Sequence, residues 1–352
     1  MAYNQLNLIY EKREHNTTMT LHSFIFKVQN KFWAELVHYT KKTPFYLYIY
    51  RSYWHYLFSA KKEYNPTPGM YFAARPNPGA GIGHQMANWI AGYWWAKQLG
   101  LKFAHMSFSN QKWDNFLGFG EDEINIKQLQ KQGYKLRRLP HFSENDKASI
   151  DFVKRIMASY QGRKIIFWPP QDHGYKDQYG VMEDIQQKFY KAQARKNDKC
   201  IYSKDNFNIA IHVRRGDIMA DSTNPNLTMR YLSNDYFEKV LKQVIDNLQT
   251  SQPVHIYFFS QGTSNDYLEF THYKNLHWCL DMPAQDSFLH MVYADLLITS
   301  KSSFSYKPAL LNKNIKVCPR NFWHGYPNKT DWILCENDGS FNTVQLKNLI
   351  HE

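Results

Sequence analysis

The sequence predicts an α/β chain whose second half is a parallel, doubly wound domain. Three observations carry that prediction. From Phe207 to Val317, strand-like and helix-like stretches alternate, the pattern of a parallel sheet with crossover helices. In the first half a strand-like Met70–Ala74 runs through a glycine-rich loop into a helical stretch, the same unit again. The length, 352 residues, fits two domains that each bury their own core.

The elements follow in chain order. Residues 1–62 interleave aromatic and basic residues, with nine Lys/Arg against three Glu, and Pro44 separates one helical stretch from another. Pro66-Thr-Pro68-Gly69 reads as a linker. After Met70–Ala74 and the loop Pro76–Gly83, a helix is expected from His84 to Gly100, with Met86, Ile90, Tyr93 and Lys97 at helical spacing. Lys102–Met106 and Lys164–Trp168 read as strands, Asp151–Ser159 and Glu183–Arg195 as helices. The polar run Lys191–Lys199 marks a boundary. Then come a strand Phe207–Val213, a helix Asn234–Leu248, strands Val254–Phe259 and Leu276–Leu280, a helix Asp286–Tyr293, a strand Asp295–Thr299, a helix to Leu311 and a strand Ile315–Val317. The resulting division is a helical extension over 1–62, a first Rossmann-like domain over 63–200, a second over 201–320, and a terminal segment 321–352 packing back.

The chemistry concentrates at strand ends. Phe207, Ile209, Ile211 and Val213 alternate with smaller or polar residues, and the strand then runs into Arg214-Arg215-Gly216-Asp217. Guanidinium forks at the carboxyl edge of a parallel sheet suit phosphate oxygens. Two further strand ends finish in small polar residues, Ser260-Gln261 and Ser302-Ser303, and all three should converge on one crevice. The loop Gly81-Ile-Gly83 before a helix can present bare amides to an anion.

Composition narrows the partners. Lys+Arg 43 against Asp+Glu 31 gives a net charge of +12, suited to anionic partners. No nucleic-acid-binding motif accompanies that charge, so nucleic acid is not expected. Cys200, Cys279, Cys318 and Cys335 form no C-x-x-C pair, and a reducing, cytoplasmic setting is the simpler reading. Met1–Thr20 lacks the apolar core of a signal peptide, and no apolar run is long enough to span a bilayer. The extension 1–62 is compatible with interfacial helices at the cytoplasmic membrane face or with helices packed on the body.

His212-Val-Arg-Arg-Gly-Asp217 resembles the His-x-Arg-Arg-x-Asp signature of the GDP-fucose-dependent fucosyltransferases that make α1,2 and α1,6 linkages. Gly81-Ile-Gly-His-Gln-Met86, continuing to Gly100, resembles the opening glycine loop and helix of the α1,2 family. Asp286 with Asp295–Ser305 resembles its late Ser-Ser/Thr-Phe-Ser motif, here Ser302-Ser303-Phe304-Ser305. The likeness covers roughly residues 70–320.

The resemblance implies a GT-B-like architecture, two Rossmann-like domains facing a cleft. It also implies an inverting, metal-independent transfer of fucose from GDP-fucose to a hydroxyl of a glycan acceptor, in an α1,2 linkage, for a surface polysaccharide or glycolipid. No cofactor or metal is expected, and the chain carries no Asp-x-Asp pair. Arg214 would then bind the β-phosphate and stabilise the leaving GDP, while Arg215 brackets the diphosphate or the fucose. His212 and Asp286 would contact guanine. Ser302 and Ser303, with the amides at Gly81–Gly83, would complete the phosphate cradle, with Ser260 and Phe304 in the donor wall. Asp217 would orient the arginines or contact the nucleotide, and His84 and Asp221 are the candidates for general base. Two departures stand out: His84 replaces the family's Asn, and Tyr306-Lys307 replace its Trp-Trp. The alternatives are a related transferase using another nucleotide-sugar, or a non-catalytic nucleotide- or nucleic-acid-binding protein.

Overall fold

The computed structural model describes residues 21–77, 79–169, 178–219, 223 and 225–350. The chain divides into a small unit ending at Ser59 and a larger one from Ala60 onward. The small unit contains helix α1 (Leu21–Thr40), a 3-10 turn Tyr46–Ile49 and helix α2 (Arg51–Leu57). Helix α1 stops short of Pro44, as the steric demand of a proline on its predecessor requires. Aromatic contacts knit the unit: Trp33 meets Tyr50 edge-on at 5.5 Å, and the Trp54 indole donates to the Tyr48 carbonyl at 2.7 Å.

The larger unit holds two parallel sheets. The first contains β1 (Met70–Phe72), β2 (Lys102–His105), β3 (Ile124–Asn125), β4 (Lys135–Arg138) and β5 (Ile165–Trp168), in the order β3-β2-β1-β5-β4. The second contains β6 (Phe207–His212), β7 (Val254–Ser260), β8 (Leu276–Leu280), β9 (Leu296–Ile298), β10 (Ile315–Pro319) and β11 (Trp332–Cys335), in the order β11-β10-β9-β6-β7-β8. Every pairing in both sheets is parallel. This is the two-Rossmann, GT-B-like architecture that the sequence led us to expect.

Both sheets wind outward from a central strand and then reverse. In the second sheet the chain leaves β6 for β7 and β8, then returns to β9 on the other side of β6. The loops leaving β6 and β9 therefore diverge, opening a crevice at their carboxyl ends. In the first sheet the chain leaves β1 for β2 and β3, then crosses to β4 at the far edge and comes back to β5 beside β1. Two switch points are thus available, one per sheet.

Local sequence explains the central elements. In β6, Ile209 and Ile211 enter the main core with Val240, Leu241 and Val244 of the helix Asn234–Asn247, while Ala210 leaves room on the opposite face for the helix Ala284–Tyr293. Both faces are buried, so the alternation of the strand is one of size and not of exposure. Helix α3 (Ile82–Gln98) begins two residues earlier than expected, placing Gly81 at its N-cap. It ends through Gly100, whose φ of 62° is left-handed and suits glycine. Gly92 lets α3 lie on the end of β1, because a Cβ there would come within 2.2 Å of the Ala74 Cβ.

Several short elements lay outside the sequence reading: β3, β4, β11, and the helices Gln111–Leu117, Ile126–Lys131 and Thr343–Ile350. The segment after residue 320 supplies β11, which pairs with β10 from Lys316↔Trp332 to Pro319↔Cys335. Its terminal helix adds Leu346 to the core of the second sheet. Among the described residues no helix is long and apolar enough to cross a membrane.

Candidate functional site

The site is built around the end of β6. His212 is the last strand residue and is buried, with its Nδ1 2.8 Å from the Ser300 hydroxyl. Burial, reinforced by the neighbouring Arg214 and Arg215 charges, pushes its pKa down to about 3. The imidazole is therefore neutral at ordinary pH, a rigid prop between the loops leaving β6 and β9.

Arg214 points at the β9 loop and donates from Nη1 to the Ser302 hydroxyl at 3.1 Å. Ser302 also caps helix α10 (Ser303–Leu311; the intervening α-helices of six residues or more are α4 Gln111–Leu117, α5 Ile126–Lys131, α6 Lys147–Ala158, α7 Met182–Lys191, α8 Asn234–Asn247 and α9 Ala284–Tyr293), accepting from the Phe304 amide at 3.2 Å. Arg215 turns elsewhere. It donates to the Arg214 carbonyl at 2.8 Å and to Asn234 Oδ1 at 2.5 Å, and its guanidinium lies 4.9 Å from the Tyr231 ring centroid. Gly216 follows with φ 71°, and a Cβ there would overlap the Gln261 side chain. The glycine of the motif thus serves the turn that separates the arginines from β7.

Two cavities open on either side of Arg214. The first, of about 320 Å³, lies over the ends of β6, β7 and β8 and is lined by His212, Arg215, Ser260, Gln261, Asp281 and Ser287. The second, of about 670 Å³, is lined by Gly81–His84, Arg230, Ser302, Ser303 and Trp323. Arg214 and Phe304 belong to the walls of both. Both volumes fall in or near the range of small-molecule sites, roughly 300–1,000 Å³.

The second chamber is where the two halves of the larger unit meet. The amino end of α3 abuts that of α10 so closely that a Cβ on Gly83 would lie 2.6 Å from the carbonyl carbon and oxygen of Ser303. Two helix amino termini thus face one space, each with backbone N–H groups lacking an intrahelical acceptor. No carboxylate stands among the described residues lining this chamber. His84, in the first turn of α3, is exposed and lines it together with Arg214.

The expected site residues are therefore placed as follows. Gly81, Gly83, His84, Arg214, Ser302, Ser303 and Phe304 come together in the second chamber, and His212, Arg215 and Ser260 in the first. The Ser260 hydroxyl is already engaged, donating to the Val213 carbonyl at 2.7 Å and lying 2.6 Å from the Tyr267 hydroxyl. Asp286, expected at the nucleotide, is on neither wall. It sits exposed in the first turn of α9, where its carbonyl accepts from His290 at 2.7 Å. Asp221 lies outside the described residues, as does the Asp217 side chain.

The carboxylate that does reach the first chamber is Asp281, immediately after β8. Its φ of 52° is unusual for a residue with a side chain, a strain that clusters at functional turns. It obeys the rule already applied to the ends of β6, β7 and β9, so its position after a strand was the available signal. Arg230 and Trp323 carried no such signal, because both come from long loops. Tyr306, at the departure from the family pattern, bonds its hydroxyl to the Gly325 carbonyl at 2.6 Å and stacks on His324 at 5.1 Å, holding the loop that presents Trp323. Lys307 is fully buried and donates to Gln178 Oε1 at 2.9 Å.

No family model matches the chain, and no curated protein sequence does. Among solved structures, POFUT1 in complex with GDP is similar at 11% identity, over 72% of this chain and 97% of its own, with a TM-score of 0.40. The E. coli heptosyltransferase WaaC with ADP is similar at 10% identity over 80% and 99%, with a TM-score of 0.39. A glycosyl transferase of family 9 from Veillonella parvula is similar at 11% identity over 83% and 92%, with a TM-score of 0.41. The functional reading that follows rests on the two chambers themselves.

Proposed function

We propose that the chain is an inverting, metal-independent glycosyltransferase that moves fucose from GDP-fucose to a hydroxyl of a glycan acceptor, forming an α1,2 linkage in a surface polysaccharide or glycolipid. The observation that carries the reading is Arg214, placed at a switch point on the wall shared by both chambers, beside two helix amino termini. In this reading the first chamber takes the nucleoside, with Asp281 in place of Asp286 accepting from the N–H donors of guanine. The diphosphate lies along Arg214 and the amides of Gly83 and Ser303. The second chamber takes the fucose and the acceptor.

The reaction needs charge stabilisation at one end and a proton acceptor at the other. As the acceptor oxygen bonds to the anomeric carbon, the bond from that carbon to the β-phosphate oxygen breaks and GDP leaves with the electron pair. Arg214 and the helix amides meet the developing negative charge without reorganising, a term worth several kcal/mol in enzymes of this kind. The acceptor proton passes to the exposed imidazole of His84, which shares the chamber with Arg214. We further propose that the aromatic and basic extension holds the enzyme peripherally at the cytoplasmic face of a membrane, near lipid-linked acceptors.

The test is nucleotide release by the full chain from GDP-fucose, GDP-mannose, UDP-galactose and an ADP-sugar, with an acceptor pool. Release from GDP-fucose alone, lost in Arg214→Ala, is the expected result. Release from another donor and none from GDP-fucose would overturn the choice of sugar-nucleotide. Undiminished turnover in Arg214→Ala would overturn the site.

A further inference from the structure

The second chamber contains a cation for which the sequence motifs made no provision. Arg230 lines it beside Gly81–His84, Arg214 and Ser303. Among the described residues it makes no ion pair with a carboxylate, and its buried Nε has no hydrogen-bond partner. What holds it is an aromatic face: the guanidinium lies 5.2 Å from the Trp323 ring centroid. Trp323 in turn is presented by the loop that Tyr306 ties down through the Gly325 carbonyl. A half-buried guanidinium stacked on indole, with no described carboxylate paired to it, is an unfinished arrangement, since burying a charge is unfavourable unless a counter-charge meets it.

We infer that Arg230, laid over Trp323, is the second guanidinium for the diphosphate of the bound nucleotide, the part expected of Arg215. The inference rests on the reading of the two chambers as a nucleotide-sugar site. Arg215 is committed to the Arg214 carbonyl, Asn234 and the Tyr231 ring, contacts that shape the β6 loop. Arg230 instead shares with Arg214 a chamber faced by two helix amino termini and, among its described lining residues, by no carboxylate. A diphosphate presents oxyanions on two phosphorus atoms, so it can engage one fork on each side. Trp323 fixes the orientation of the Arg230 fork and acts as a positioning residue.

The experiment is calorimetric titration of the full chain with nucleoside diphosphates and monophosphates, in the guanosine, adenosine and uridine series. Wild type should prefer GDP to GMP, and Arg230→Gln should lower that ratio by about tenfold or more while leaving GMP affinity unchanged, as expected for loss of a charge-assisted contact. Arg230→Lys should recover part of the ratio, and Trp323→Leu should reduce it. An unchanged diphosphate-to-monophosphate ratio in Arg230→Gln, in whichever series wild type binds, overturns the inference, including where the variant instead weakens an acidic acceptor. Absence of wild-type binding in every series overturns the nucleotide-sugar reading itself, and the inference with it.

Discussion

His212 and Arg214 stand two residues apart and do opposite things with charge. The imidazole is kept neutral by burial and by two adjacent guanidinium groups, while the Arg214 guanidinium lines both chambers. The folded pKa of His212, about 3, lies below its unfolded value near 6.5. Above pH 6.5 neither state binds the proton, and the stabilisation is fully present. As pH falls below 6.5 the unfolded chain takes up a proton that the native state refuses, so stability is lost progressively down to about pH 3. Between pH 7 and pH 5 this single group removes about 2 kcal/mol. His212→Asn, which keeps a polar partner for Ser300, should flatten the pH dependence of the urea midpoint by that amount. An identical slope in the variant would show that His277 and His290, also shifted downward by burial, account for the acid sensitivity. At Arg214 the expectation is kinetic. Arg214→Lys retains the charge but loses the fork, so kcat should fall by about 10²-fold with a smaller change in KM for the donor, because the contact strengthens as charge develops on the leaving group.

At the scale of elements, the decisive contact is the meeting of the amino ends of α3 and α10. Gly83→Ala would gain up to about 1 kcal/mol in helix propensity, but its Cβ would press into backbone atoms of Ser303 and Phe304 at 2.6–2.9 Å. Backbone cannot rotate away as a side chain can, so the helices must part. The net effect should be a destabilisation of about 1–3 kcal/mol and a loss of GDP affinity, read from the urea midpoint and from titration. A fully stable variant with unchanged GDP affinity would show that the two helices tolerate separation. This contact also explains what the sequence made visible. The strands β6 to β10 and their helices were readable because their apolar runs are continuous and alternate with amphipathic helical stretches. β3 has two residues, and β4 reads Lys-Leu-Arg-Arg, so neither carries enough apolar pattern to signal a strand. In the site, Arg214 and Ser302 were legible because they lie in the loops that leave β6 and β9, and Gly83 because it belongs to the glycine-rich run that opens α3. Arg230 and Trp323 reach the same chamber through loops, and only the tertiary fold decides where a loop side chain lands. Asp286 lies off both walls for the converse reason: the motif gives its position in sequence, but one helical turn settles which way the carboxylate faces, and it is Asp281 that lines the first chamber.

For the whole molecule, charge and aromatic content are unevenly distributed, and that distribution makes the membrane proposal testable. The chain carries a net charge of +12, and the first 62 residues contribute nine Lys/Arg against three Glu. Within the small unit Phe32, Phe45 and Phe58 are exposed at 68%, 68% and 82%, beside the exposed Lys31, Lys41 and Lys42. Basic residues near an anionic bilayer are worth about 1 kcal/mol each, and phenylalanines at the headgroup boundary add apolar burial. The full chain should therefore float with vesicles containing phosphatidylserine and not with purely zwitterionic ones. Raising salt from 0.1 M to 1 M shortens the screening length from about 10 Å to 3 Å and should release it. A full chain carrying Phe32→Ser, Phe45→Ser and Phe58→Ser should lose most of its vesicle binding while its GDP affinity stays as in wild type, because every residue placed in the two chambers lies beyond residue 60. Equal flotation of variant and wild type would show that attraction between charges alone brings the protein to the surface, and no flotation of either would remove the membrane from the proposal. Loss of GDP affinity in the variant would instead show that these aromatics support the donor site.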